Sequence, residues 1–152
     1  MQAFIAFQYV VFHLAPSAGG KTSAIQNMIP NPQMHRGCFD MFYICSPPIH
    51  LYANWNLVKK YITEDTGLGP FYDEFGEESL AACEAQRKVV APQKSVGAHK
   101  LFGVLIILYD LAATAVMRNP RFIIAHLAVR GRHSCDSMIL SSQPYKAIHP
   151  FI

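Results

Sequence analysis

Apolar and polar residues fall in alternating blocks along this chain, and the period within each block predicts an element. The first block, Tyr9-Val10-Val11-Phe12-His13-Leu14, is a nearly continuous apolar run, the pattern of a strand buried on both faces. Lys21–Met28 reads as a helix closed by the punctuation Pro30-Asn31-Pro32. Phe39–Cys45 is strand-like and stops at Ser46-Pro47-Pro48, and Tyr52–Tyr61, carrying Trp55, Leu57 and Val58, predicts a second helix. Thr63–Gly76 is rich in glycine and acid and predicts a loop. Glu77–Val90 holds good helix formers, with Leu80, Ala82, Cys83 and Val89 able to share a face. Ala91–His99 predicts another loop, and Leu101–Leu108 is the most apolar strand of the chain. Pro120 is placed to open a helix over Arg121–Arg130, and Ser137–Ser142 predicts a last strand ending at Gln143-Pro144.

Strands alternating with helices predict an α/β fold, a mostly parallel sheet flanked by helices and joined by right-handed crossovers. At 152 residues the chain corresponds to a single domain over 1–152. Ligands of such sheets gather at the carboxyl ends of the strands. Three features fall at such ends: the segment after Leu14, Asp110, and Gln143.

The segment after Leu14 reads Ala15-Pro16-Ser17-Ala18-Gly19-Gly20-Lys21-Thr22. It matches the phosphate-binding loop Gly-x-x-x-x-Gly-Lys-Ser/Thr, the Walker A motif, in every position but the first, where Ala15 replaces Gly. Gly19 and Gly20 allow the backbone to turn successive N–H groups toward phosphate oxygens. Lys21 would neutralise the β/γ-phosphates, and the Thr22 hydroxyl would meet Mg²⁺. A helix starting near Lys21 presents its positive end to the same anion. Ala15 weakens the site if its φ must be positive.

Gly103–Asp110 resembles a Walker B strand, an apolar run that delivers a carboxylate to the metal or to the attacking water. One acid stands there, preceded by Tyr109. Either Asp110 holds the metal and the base comes from elsewhere, or hydrolysis is impaired. Arg132, in Arg130-Gly131-Arg132-His133, either reaches the γ-phosphate of a neighbouring subunit or anchors its loop. Gln143 either senses the γ-phosphate or is an ordinary turn residue before Pro144.

Composition changes this picture little. Half the residues are apolar (51%) and 15% are charged, which excludes a disordered tail. The net charge of +3 fits a polyanionic partner without requiring one. The basic pairs Lys59-Lys60 and Arg87-Lys88 suit DNA phosphates or simply a solvated surface. Cys38, Cys45, Cys83 and Cys135 lack ligand spacing and are expected as reduced thiols. Met1–Leu14 has no basic leader of a signal peptide, and Leu101–Met117 is short for a span and carries Asp110, so no stable membrane insertion is expected.

The last third adds a more specific pattern: Gly131-Arg132-His133, Ser137, an apolar strand, then Gln143 and Tyr145 in order and spacing. This block resembles the genome-packaging ATPases of poxviruses, other large DNA viruses and virophages, within the FtsK/HerA-like P-loop NTPases. The strand ending in Ser46-Pro47 before Trp55, and the strand Leu105–Asp110, resemble the same family. The resemblance implies an ATP- and Mg²⁺-dependent hydrolase that translocates double-stranded DNA as a homo-oligomeric ring beside viral capsid or portal components. It implies a location in the host cytoplasm, virus factory or virion rather than secretion.

Carried over by position, Lys21, Asp110, Gln143 and Arg132 would serve catalysis. Ala15 to Thr22 would hold the nucleotide, and Thr22 with Asp110 would hold the metal. Known members are longer, which leaves a fragment or reduced copy as an expectation. A hydrolysis-impaired nucleotide-binding assembly subunit is the alternative reading, and a nucleoside kinase is a weaker third, since no Arg-rich lid is apparent.

Overall fold

A computed structural model of the chain describes residues 9–16, 18–47, 49–66, 71–72, 77–97, 102–110 and 136–142. Within them lie β1 (Val10–Leu14), α1 (Lys21–Met28), β2 (Met41–Cys45), a 3₁₀ turn (Ala53–Trp55), α2 (Asn56–Tyr61), β3 (Phe71–Tyr72), α3 (Glu77–Ser95), β4 (Val104–Tyr109) and β5 (Asp136–Ser142). The strands form one five-stranded sheet in the order β1-β5-β4-β2-β3, and every pair is parallel. The predicted α/β class and parallel sheet are therefore present.

The central strands explain why the most apolar runs sit where they do. β4 lies between β5 and β2, and Val104 to Leu108 are wholly buried. A strand covered on both faces must be apolar on both. Val104, Ile106 and Leu108 join Tyr43, Cys45, Met138 and Leu140 on one face. Leu105 and Ile107 join Phe42, Ile44 and Ile139 on the other, where Ile25 of α1, Ile29 at its C-cap, Trp55 and Val58 cover them. Each such fully buried aliphatic side chain contributes about 1.5–3 kcal/mol over its exposed state.

Four sequence expectations are corrected. β1 is an edge strand among the described residues, not a strand buried on both faces: Val10 and Leu14 are 37% and 38% exposed. Its apolar run reads like that of β4, because periodicity reports apolar content and not position in a sheet. In the stretch expected as a loop over Thr63–Gly76, the described residues instead continue α2 as a π-type turn, Ile62–Thr66, and supply β3, while 67–70 and 73–76 lie outside the described residues. Ile62 is fully buried, which holds that turn against the core.

The third correction concerns α3, which does not stop at Val90 but continues through Pro92 to Ser95. Pro92 has no N–H to give, yet its carbonyl accepts from the Val96 N–H at 3.2 Å, so the ladder resumes beyond it. Gln93 in this last turn accepts the Phe102 N–H at 2.8 Å through Oε1, tying the helix end to the approach of β4. That tertiary bond offsets a local penalty that the sequence pattern reads as a stop. In the fourth, Val89 is exposed and the adjacent Val90 is the fully buried residue. The side chains of Leu80, Ala82 and Cys83, and the predicted helix over Arg121–Arg130, lie outside the described residues.

The edge strand is anchored by aromatic packing. The Tyr9 phenol bonds His35 Nε2, and both rings meet Phe39 edge to face. The Tyr9 carbonyl accepts from Met138 N at 2.8 Å, joining the entry of β1 to β5. Burial raises the Tyr9 phenol above its ordinary range and lowers the His35 imidazole, so both groups are held neutral. Neither Cys38 nor Cys45 is in a disulfide. No helix of the described residues is long and apolar enough to cross a membrane.

Candidate functional site

The loop Ala15 to Gly20 leaves the carboxyl end of β1, and α1 begins at Lys21 as the sequence pattern predicts. The chain reverses into the helix through Gly20, whose φ of 76° lies in the left-handed region that glycine enters without steric cost. Gly19 answers a different need. A Cβ there would lie 2.8 Å from Ala15 Cβ and 3.0 Å from the Pro16 carbonyl oxygen. Its N–H donates to that same oxygen at 3.1 Å, which closes the turn. No side chain caps the N-terminus of α1. The first amides of the helix therefore have no intrahelical acceptor, and an anion can take them.

The departure at Ala15 is harmless to the backbone, because positive φ among the described non-glycine residues occurs at Ala18 (60°) and Asp110 (56°) and not at Ala15. The strained position of the loop is Ala18, where the left-handed region costs an L-residue about 1–2 kcal/mol. Ala18→Gly is expected to raise the unfolding free energy by several tenths to about 1 kcal/mol, read by denaturant titration. Ala15→Gly, which restores the motif, is expected to leave it unchanged or lower. A larger gain from Ala15→Gly than from Ala18→Gly would contradict this assignment of strain.

Lys21 is largely buried, at 8% exposure, and its ammonium donates to the Ala15 carbonyl and, at 2.9 Å, to the Pro16 carbonyl. The charge is thus kept against the loop, beside the helix N-terminus. Thr22 makes no hydrogen bond to a carboxylate among the described residues. Its hydroxyl bonds the phenol of Tyr109, the last residue of β4, and no hydrogen bond joins Thr22 to Asp110 among the described residues. The Tyr109 ring in turn meets Trp55 edge to face, with centroids 5.6 Å apart. Asp110 stands at the same edge of the sheet, its N–H donating to the Ser141 carbonyl at 2.9 Å.

The structure thus brings Lys21, Thr22, Tyr109 and Asp110 to the carboxyl ends of neighbouring strands, with β5 inserted between β1 and β4. Ser17, Arg132 and Gln143, also predicted for the site, lie outside the described residues. Tyr109 enters as a contact of Thr22 that sequence reasoning registered only as a missing acid. Nothing in a one-dimensional pattern says that a phenol can span from β4 to α1.

The genome packaging NTPase B204 of Sulfolobus turreted icosahedral virus 2, solved with AMP, superposes with a TM-score of 0.61 at 14% identity, over 96% of this chain and 70% of that one. The cytoplasmic domain of the Thermomonospora curvata type VII secretion ATPase EccC superposes with a TM-score of 0.56 at 10% identity, over 91% of this chain and 16% of that one. The chain has the fold of these NTPases. At such low identity the likeness is one of architecture, and residue roles rest on this chain's own geometry. No protein-family model and no curated protein sequence matches the chain.

Magnesium, which the fold implies, needs hard oxygen donors, usually carboxylates and water beside the phosphates. The donor beside the Thr22 hydroxyl is a single phenol oxygen. Such a set is a poor fit for Mg²⁺ at this position.

Proposed function

We propose that this chain binds the triphosphate of ATP on the loop Ala15 to Thr22 and works as a subunit of a machine that moves viral double-stranded DNA. The observation that carries the reading is the pairing of a buried, loop-held Lys21 with an uncapped helix N-terminus at the end of β1. Backbone amides and one cation converging on a strand end form an anion site matched to a phosphate chain. The genome packaging NTPase of similar architecture, solved with AMP, supports the nucleotide-binding, ATPase-like part of this reading. The DNA-moving part rests on the resemblance of the sequence block from Gly131 to Tyr145.

In this reading Asp110 orients the attacking water, and Gln143 and Arg132 approach the γ-phosphate within a ring of copies. Tyr109 on Thr22 favours a second reading, in which the subunit binds ATP and contributes assembly rather than turnover. Phosphate release by the purified protein, with and without duplex DNA, separates the two. The motor reading expects turnover that rises with duplex and falls about tenfold or more in Asp110→Asn. ATP binding with no phosphate release in either condition would leave the assembly reading.

A further inference from the structure

A row of side chains crosses the carboxyl ends of the sheet on the face that α1 covers. The register pairs His13 of β1 with Ser141 of β5, and Ser141 with Tyr109 of β4. Cys45 pairs with Leu108, so Ser46, next along the chain, comes level with Tyr109 on the far side. The row therefore reads His13, Ser141, Tyr109, Ser46, with no carboxylate in it. Ser46 and Ser141 are wholly buried, and neither hydroxyl has a hydrogen-bond partner. Tyr109, between them, reaches past the row to the Thr22 hydroxyl.

We propose that Tyr109 takes the place of a metal-recruiting carboxylate, so that this loop binds nucleotide triphosphate with little help from a divalent cation. The proposal rests on the nucleotide reading above and concerns how that same site is met. A carboxylate beside Thr22 would offer two oxygens and a negative charge to a hard cation. The phenol offers one oxygen, already engaged with Thr22, and the flanking hydroxyls of Ser46 and Ser141 add no charge. Burial of Ser46 and Ser141 on either side of Tyr109 makes the difference larger, because a divalent cation held there would lose hydration that uncharged hydroxyls replace poorly. Phosphate charge is then met by the Lys21 ammonium and the amides of α1 alone. Trp55, packed on the ring, fixes Tyr109 in this role.

Calorimetric titration of the full chain with ATP, in excess Mg²⁺ and in EDTA, tests this. The dissociation constants are expected to agree within about threefold. Tyr109→Asp is expected to make binding tighter in Mg²⁺ than in EDTA by about tenfold or more. Tyr109→Phe keeps the ring against Trp55 and frees the Thr22 hydroxyl, and is expected to show a smaller metal effect in the same direction. Wild-type affinity that falls about tenfold or more in EDTA overturns the proposal while leaving the nucleotide site in place. So does a metal effect identical in the wild type and both variants. Absence of ATP binding in both buffers overturns the nucleotide reading itself, and this proposal with it.

Discussion

Lys21→Ala is expected to weaken ATP binding by about 100-fold, the largest loss of any single change in the loop. The ammonium lies within the loop, held by the Ala15 and Pro16 carbonyls, and stands beside the amides that would share the anion. A hydrogen bond to a charged group contributes about 1.5–3 kcal/mol, against roughly 0.5–1.5 for a neutral one. The carbonyls already draw a charge-assisted bond from Lys21, and an anionic phosphate adds a charge–charge attraction that they do not supply.

In the variant the Ala15 carbonyl loses this donor and the Pro16 carbonyl keeps the Gly19 N–H, and both belong to a partly exposed loop where water can replace the ammonium. The fold should survive, with unchanged far-ultraviolet circular dichroism. Affinity within twofold of wild type, in a variant of unchanged fold, would show that the phosphate lies elsewhere.

Trp55→Ala is expected to be the most destabilising substitution in the described core. Trp55 is fully buried among Phe42, Val58 and Ile107, and its ring abuts Tyr109. Truncating a buried aromatic to alanine costs about 3–5 kcal/mol, from lost burial and from the cavity left behind. A domain of this size loses about 2–4 °C of Tm per kcal/mol, so a fall of roughly 10 °C or more should appear in a thermal melt.

Trp55→Phe keeps an edge-to-face partner for Tyr109 and should recover part of the loss. The nucleotide site should feel Trp55→Ala as well, because Tyr109 loses the ring that steadies its contact with Thr22. A fall in Tm under about 3 °C would mean that the cavity collapses at little cost.

Much of this protein was legible before folding was considered. α1 begins and ends at the predicted residues, because a glycine pair before Lys21 and a proline pair after Ile29 act locally. β2, β4 and β5 lie within about three residues of their predicted bounds, because apolar runs of that length between breakers allow few alternatives. The loop motif likewise announces its chemistry, since φ preference and charge are properties of single residues.

Other features depend on contacts between residues distant in sequence. The apolar run of β1 does not say that its strand lies at an edge, a fact settled only when β5 inserts beside it. Pro92 does not say that a helix can pass through it, nor that Gln93 beyond it is tied to Phe102 by a tertiary hydrogen bond. The same division runs through the candidate site.

The amino-acid sequence by itself determined that a lysine and a run of amides would meet at a strand end, since eight adjacent residues carry that information. Only the tertiary structure decided that Thr22 would be met by Tyr109, 87 residues away, rather than by Asp110. The physical reason is register: which side chain of β4 reaches α1 depends on how two strands and a helix stack, and pairing energy is blind to the chemistry at the strand's end.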